Sequence, residues 1–445
     1  MKNKVQVVII AFSIVIAIVS IIVFSNTGDP KPGQGGGGGG TLIVWGVDPK
    51  EIFGGLFAKY AEEVGTTIVY VEKDERTIHQ EVLEAIASEK SPDLLVVPDS
   101  WIRDNKDKIA TPLPAIVNVE NAKNSMVELG TQLLVEEKIV DGKLQQNMYG
   151  LPLWLDPIVL FWNRELFEQA KPEPIALPPK DWDEFVRDSK KLTKLADGKQ
   201  VTRAGAALGR AHNIPLYKEI LSLLLLQLNS DIEDGIFLGG AGSKEAADGA
   251  RSAIKFYTDF GNPNTAPGGA YSWNPRLPEP RALFIEGKLG MMLDLYSFKD
   301  ELKAKNPHLA FDVASVPQLR DDGKRTQKTV NYAAVRAITV LKGGENQNNA
   351  WFFAKWLANP EQIKSIIASH DVAPVIRSMF SGNEVGGLLK TASLTARRPR
   401  ETFPKENSRI VRDLIESVAD GGTITESMAK AGRAFNFYLQ SQGIR

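Results

Sequence analysis

At 445 residues, with 53 Lys and Arg set against 54 Asp and Glu, the chain is long enough for two packed domains and has no broad basic field to attract nucleic acid. Cysteine is absent, which excludes disulfides, thiolate nucleophiles, cysteine metal sites and a lipid carried on an N-terminal cysteine.

Residues 5–24 read VQVVIIAFSIVIAIVSIIVF, an uncharged run long enough to cross a hydrocarbon core roughly 30 Å thick as a helix. Lys2 and Lys4 precede it, and by the positive-inside rule they hold the N-terminus in the cytoplasm and deliver the rest outside. A cleaved secretory signal is the alternative, but its apolar region is usually about 7–15 residues and ends at a small-residue site, which SNTGDP is not. Either way the protein is exported, and we expect a retained single-pass anchor. Residues 25–40 end in a run of glycines with almost nothing to bury, so they behave as a flexible leash with a root-mean-square span of roughly 20–25 Å.

The folded part begins with alternating elements. Residues 41–45 (TLIVW) form a strand, 52–64 a helix, 66–71 a strand, 77–90 a helix and 92–98 (PDLLVVP) a continuously apolar strand. This alternation predicts an α/β fold with a parallel sheet covered on both faces. Ligands of such sheets collect beyond the carboxyl ends of strands, and Trp45, Asp99 and Trp101 stand at two of those ends, either capping the core or facing a ligand.

A second strand-like stretch covers 150–162. Asp181 then caps a helix (WDEFVRDSKKL) whose Trp182, Phe185 and Leu192 share one face. Residues 220–228 (ILSLLLLQL) are apolar nearly all round and too short to cross a membrane, so they form a buried helix. The glycines at 239–242 make a turn before a helix at 246–260, since no phosphate-loop pattern follows them. Tyr271 and Trp273 lie in a Pro- and Gly-rich loop, where they are weak ligand candidates. A helix at 279–286, strands at 288–295, 313–316 and 331–340, a helix at 348–357 and an amphipathic C-terminal stretch at 423–439 complete the pattern, with no fixed-period repeat.

Catalytic signatures are scarce. His79, His212, His308 and His370 are isolated singles that offer no paired imidazoles to a metal, and neither a G-x-S-x-G elbow nor a phosphate loop occurs. Paired carboxylates of a glycoside hydrolase have no sequence signature, so an anchored polysaccharide-acting enzyme stays open as the alternative. No cofactor is called for.

Four segments, in order, resemble the extracellular solute-binding proteins of the maltose-binding type. They are PDLLVVPDSWI at 92–102, YGLPLWLDPIVLFWNRELF at 149–167, RALFIEGKLGMMLDLYSF at 281–298 and FAKWLANPEQIKSIIASHDVAPVIRSMF at 353–380. The resemblance implies a two-lobed periplasmic-binding-protein fold of type II behind the N-terminal transmembrane helix. Lobe one would hold 41–155 and 331–372, and lobe two 156–330 and 373–445, with crossings near Asp156, Asn331 and Val372. It also implies a non-enzymatic receptor of an ABC importer that works with permease subunits, a small ligand, expected to be a sugar, and a monomeric soluble part. In that frame Trp154 and Asp156 fall on the first crossing, Tyr296 and Phe298 where a sugar-stacking aromatic is placed, and Trp45, Asp99 and Trp101 atop lobe one; Arg377 is structural or pairs with a ligand carboxylate. Trp, Tyr and Asp suit a carbohydrate, which presents C–H faces to rings and hydroxyls to carboxylates. A sensory receptor without a permease would share all these features. The departure from the family lies in the mode of attachment, a helix and glycine leash.

Overall fold

The computed structural model describes residues 40–444 except 141, 198–199, 240–242, 265–268, 321–327, 382–385 and 400. The expected anchor at 5–24 and the leash before Gly40 lie outside the described residues, as does most of the glycine turn at 239–242. Among the described residues no helix is long and apolar enough to cross a membrane.

Strand β1 (Gly40–Gly46) pairs in parallel with β2 (Thr66–Glu72) and β3 (Leu94–Pro98), and helices α1 (Leu56–Val64) and α2 (Ile78–Ala87) make the connections. Helix α3 (Asp99–Asp104) follows β3 directly, and a hairpin of β4 (Val135–Val140) and β5 (Lys143–Met148) stands off the main sheet. Next comes β6 (Leu151–Asn163), buried over almost all of its length.

In the following stretch Asp181 accepts the Glu184 N–H and caps α4 (Trp182–Leu192), β7 (Lys194–Ala196) pairs with β8 (Gln200–Ala206), and α5 (Tyr217–Gln227) is buried nearly all round as its leucines require. Helix α6 (Lys244–Asp259) is capped by Ser243. Strands β9 (Leu289–Leu295), β10 (Phe311–Ala314) and β11 (Ala333–Val340) precede helices α7 (Gln347–Leu357) and α8 (Pro360–Ser369), the short β12 (Ala373–Pro374), and helices α9 (Gly387–Thr395), α10 (Pro404–Ala419) and α11 (Ile424–Ser441).

The strand order β2-β1-β3-β11-β6-β9-β8-β7 divides at β6. Over 151–157 that strand runs antiparallel to β11, and over 158–162 antiparallel to β9. Pro157 sits at the handover, where its missing N–H costs no ladder bond, and its carbonyl accepts from Tyr296 N at 2.9 Å while Ile158 N donates to Tyr332 O at 2.8 Å. The result is a two-lobed α/β fold. Its sheet is mixed where a parallel one was expected, because β6 carries the chain from the first lobe to the second and β11 brings it back, so the two must run in opposite directions.

Beyond Val372 the chain stays against the first lobe. Ala373 and Pro374 pair with Leu155 and Trp154, Ile376 bridges Met126, and Val127 N donates to Val375 O at 2.7 Å. After a bridge between Ala396 and Asn331, helix α10 lies against α5 and α6 of the second lobe. The loop aromatics at 271 and 273 also differ from expectation: Trp273 is fully buried and its Nε1 donates to Asn213 Oδ1 at 3.0 Å, so it plugs the second-lobe core.

Candidate functional site

The strand registers bring the carboxyl ends of both lobes to one seam. Pro98 at the end of β3 lies beside Arg336, Arg336 lies beside Trp154, and Leu295 at the end of β9 lies beside Ile158. Whatever follows β1, β3, β8 and β9 therefore projects toward the junction, where ligands of open α/β sheets bind.

On one flank the chain leaves β1 as Gly46-Val47-Asp48. The Tyr70 hydroxyl donates to the Asp48 carbonyl at 2.7 Å, and a Cβ at position 46 would collide with that ring, so glycine there lets Tyr70 brace the turn. Arg336 Nε stands 3.0 Å from Asp48 Oδ2, close enough for an ion pair. Both side chains are buried, and among the described residues Arg336 Nη1 has no hydrogen-bond partner. Burial pushes the Asp48 carboxyl up to about 6, against the pull of Arg336. Beside them Asp156 accepts from Ser297 N at 3.0 Å and from Ser297 Oγ at 2.6 Å, across the handover of β6. Burial raises its pKa and these two donors hold the rise back. Behind Ser297, Arg281 forms a two-point pair with Asp294, both contacts at 2.8 Å.

On the other flank Asp99 opens α3 with 1 % of its surface exposed. Its Oδ1 accepts the Val335 N–H at 3.0 Å, and Arg398 Nη1 lies 2.8 and 2.7 Å from its two oxygens. The Arg398 guanidinium covers the Tyr332 ring at 4.9 Å, and Lys218 of α5 pairs with Glu401 at 2.9 Å. Trp101 is buried with its ring 6.4 Å from that of His79, and among the described residues its Nε1 N–H has no partner. The two flanks can offer a small polar molecule a guanidinium N–H of Arg336 and the indole N–H of Trp101, both buried and without partners among the described residues. Among the described residues no cluster of three or more His, Asp or Glu could hold a metal.

The sequence profile described as bacterial extracellular solute-binding protein matches residues 55–386. The chain belongs to that family. It is 24 % identical over 300 residues to a binding protein of Brucella abortus, covering 65 % of this chain and 64 % of that relative, so the match spans somewhat less than two thirds of the relative's length. It is also 23 % identical over 399 residues to the galactooligosaccharide-binding protein of Bacillus subtilis, with 88 % of this chain and 85 % of the relative covered. The structure of the cyclic alpha-maltosyl-1,6-maltose binding protein from Arthrobacter globiformis superposes with a TM-score of 0.68 at 16 % identity, over 90 % of this chain and 99 % of that one, a likeness of fold.

Within this family member the residues singled out from the sequence fall into three groups. Trp45, Trp101 and Asp156 come to the seam; Trp45 is half-buried with Lys73 Nζ 3.9 Å over its ring. Asp99 and Tyr296 are bound into the frame around it, Asp99 by Arg398 and Tyr296 by a 2.6 Å bond to Asp371. Trp154 and Phe298 point into the lobe cores, the first 6.3 Å from Phe53 and the second 5.5 Å from Phe161 between ring centroids. Arg377 is exposed on the first-lobe side of the chain.

Sequence reasoning passed over Asp48, Arg336, Ser297 and Arg398. Two of them carried a signal: Asp48 is the first charge after the opening strand, and Arg336 is the single charge inside the otherwise apolar run AAVRAITV. Arg398 sits in the basic string ARRPR and has no signal, because its partner is 299 residues away.

Proposed function

We propose that this chain is the receptor of an ABC importer, binding a carbohydrate between its lobes and closing on it by a hinge. The observation that carries the reading is the two dry donors without partners among the described residues, Arg336 Nη1 and Trp101 Nε1, with the Asp48 carboxylate held beside the first by Arg336 Nε. A sugar hydroxyl both donates and accepts, so it can take an N–H from either donor and give its own proton to a carboxylate, and the half-buried Trp45 ring suits the C–H face of a pyranose. The galactooligosaccharide-binding and cyclic alpha-maltosyl-1,6-maltose binding relatives support this ligand class.

Asp156 is the hinge carboxylate that senses the ligand, held by Ser297 of the second lobe. Lobe one comprises 41–155 with the return from 331, and lobe two comprises 156–330 with the C-terminal helices; the last crossing follows the bridge of Ala396 to Asn331. Closure bends the chain at 156–158, 331–333 and 396–399, and the closed form is what the permease recognises. Residues 5–24 form a retained helix that anchors a monomeric receptor on the extracytoplasmic face.

The test is a thermal-shift series with the full chain in detergent against maltodextrins, galactooligosaccharides, polyols and amino acids. A ligand at 100 times its dissociation constant stabilises by about 2.7 kcal/mol, which such a series reads directly. Stabilisation by one sugar class without release of reducing ends is expected. Stabilisation by amino acids alone would sink the carbohydrate reading, and release of reducing ends would replace the receptor with an enzyme.

A further inference from the structure

Two side chains of the second lobe hold a carboxylate of the first. Asp371 follows α8, which Lys59 of α1 fastens to the first lobe by reaching Glu361 at 2.8 Å, and it precedes β12, whose Ala373 pairs with Leu155. Tyr296 follows β9, and Lys299 lies on the short helix Phe298–Lys305, whose Phe298 packs against Phe161 in the second-lobe core. The Tyr296 hydroxyl donates to Asp371 Oδ2 at 2.6 Å, while Lys299 Nζ pairs with the same oxygen and stands 4.4 Å over the Tyr296 ring. Tyr296 is buried, and 13 % of the Lys299 side chain is exposed against 53 % of that of Asp371, so the contact is sheltered on the second-lobe side and open to water on the other. Burial raises the Asp371 carboxyl, but the bonds from Lys299 and Tyr296, with Lys303 nearby, more than offset it and keep the group charged at neutral pH.

We infer that Asp371, Lys299 and Tyr296 form a clasp that holds the lobes at the angle seen here, so that the hinge equilibrium is biased before any ligand arrives. The inference rests on the hinge reading above. The chain crossings at β6 and β11 join the lobes whatever their angle, whereas a side-chain contact between lobes persists only in arrangements that keep its geometry. Tyr296 is then a positioning residue, with its hydroxyl committed to the clasp. Because Asp371 is half exposed, solvent screens the ion pair, and losing it should change the ratio of lobe arrangements several-fold without abolishing either one. Ligand affinity should move with that ratio, since a ligand that selects one arrangement binds in proportion to its population.

The test uses the full chain in detergent with Glu62→Cys on α1 and Lys190→Cys on α4, both exposed positions on opposite lobes, carrying spin labels that go nowhere else because the chain has no other cysteine. Pulsed electron paramagnetic resonance then reads the distribution of interlobe distances, without ligand and with mixed maltodextrins and galactooligosaccharides. The clasp predicts that Asp371→Ala shifts weight in the unliganded distribution several-fold toward distances that are minor in the parent. Lys299→Met should shift it the same way, Tyr296→Phe less, and the double variant of 371 and 299 no further than Asp371→Ala alone. Lys299→Met also serves as the probe if Asp371→Ala fails to fold. A distribution that moves with sugar but is the same in parent and clasp variants overturns the clasp alone. One that moves with neither sugar nor clasp variant overturns the hinge reading and the clasp with it. A shift in the variants with no response to sugar upholds the clasp and removes those sugars as ligands.

Discussion

Arg398 reaches Asp99 across 299 positions of sequence, with Nη1 2.7 Å from Oδ2. Both side chains are buried, and the pair fastens the chain on its way to α10 to the first turn of α3. Arg398 lies on the segment that leads to α10 and Asp99 at the end of β3, so the bond ties that segment to the first-lobe sheet.

Removing one partner leaves the other charge buried and uncompensated, a change that typically costs about 3–5 kcal/mol. Asp99→Asn should therefore lower stability strongly, and Arg398→Met should do the same. Burial by itself would raise the Asp99 carboxyl, but Arg398, Arg103 and the Val335 N–H more than offset it and hold the group below its ordinary value. A depressed pKa gives stability that is fully present above the unfolded value near 3.8 and lost as pH falls from there through the lower folded value. Urea melts of the wild type should show that acid loss, and Asp99→Asn should lack its Asp99 share; an unchanged slope would remove the pair from the account.

Asp48 has the opposite sign. Its folded pKa of about 6 exceeds the usual 3.8, so the native state holds a proton that the unfolded chain releases. Stability contributed by this group falls as pH rises from about 4 to 6, by about 3 kcal/mol in total. Asp48→Asn should flatten that part of the pH profile. A sugar hydroxyl donating to Oδ2 favours the ionised form, so affinity should rise as pH passes upward through about 6 in the wild type and stay level in the variant. Isothermal titration at several pH values with whichever oligosaccharide the thermal series selects would read both.

Trp154 and Trp45 divide packing from recognition. Trp154 is 2 % exposed among Phe53 and its neighbours, and Trp154→Ala should cost about 3–5 kcal/mol of stability whatever it does to binding. Trp45 is half-buried under Lys73, so Trp45→Ala should cost less stability and weaken ligand binding by tenfold or more. Equal loss of stability in both variants would place Trp45 in the core as well.

The contrast shows what the sequence could reveal. Period and length located the opening β-α-β-α-β unit, α5 and the Asp181 cap to within a few residues, because each is decided by neighbours in the chain. The β4–β5 ribbon escaped notice, since VEEKIV sets three charges in a row and KLQQNM is largely polar, so neither shows an apolar alternation. Trp154 lies in a run where all neighbours are apolar, and no periodicity tells which face of a doubly covered strand meets a ligand. Arg398 and Ser297 became meaningful only when the registers of β6, β9 and β11 brought them to Asp99 and Asp156.

The bond from Ser297 Oγ to Asp156 gives the most direct measure of hinge electrostatics. At 2.6 Å it favours the ionised carboxylate, whose burial otherwise raises its pKa. Ser297→Ala removes that donor and leaves the backbone N–H of residue 297 in place at 3.0 Å. The Asp156 pKa should then climb further, and stability at neutral pH should fall by about 1–3 kcal/mol, the range for losing a hydrogen bond to a charged group. Because the lost bond serves the charged form, the cost should shrink once pH falls below the raised pKa and Asp156 is protonated in both proteins. Chemical denaturation of the two at acidic and neutral pH checks this: a penalty that is the same at both would mean that Ser297 supports the hinge by packing, with no role in the charge of Asp156.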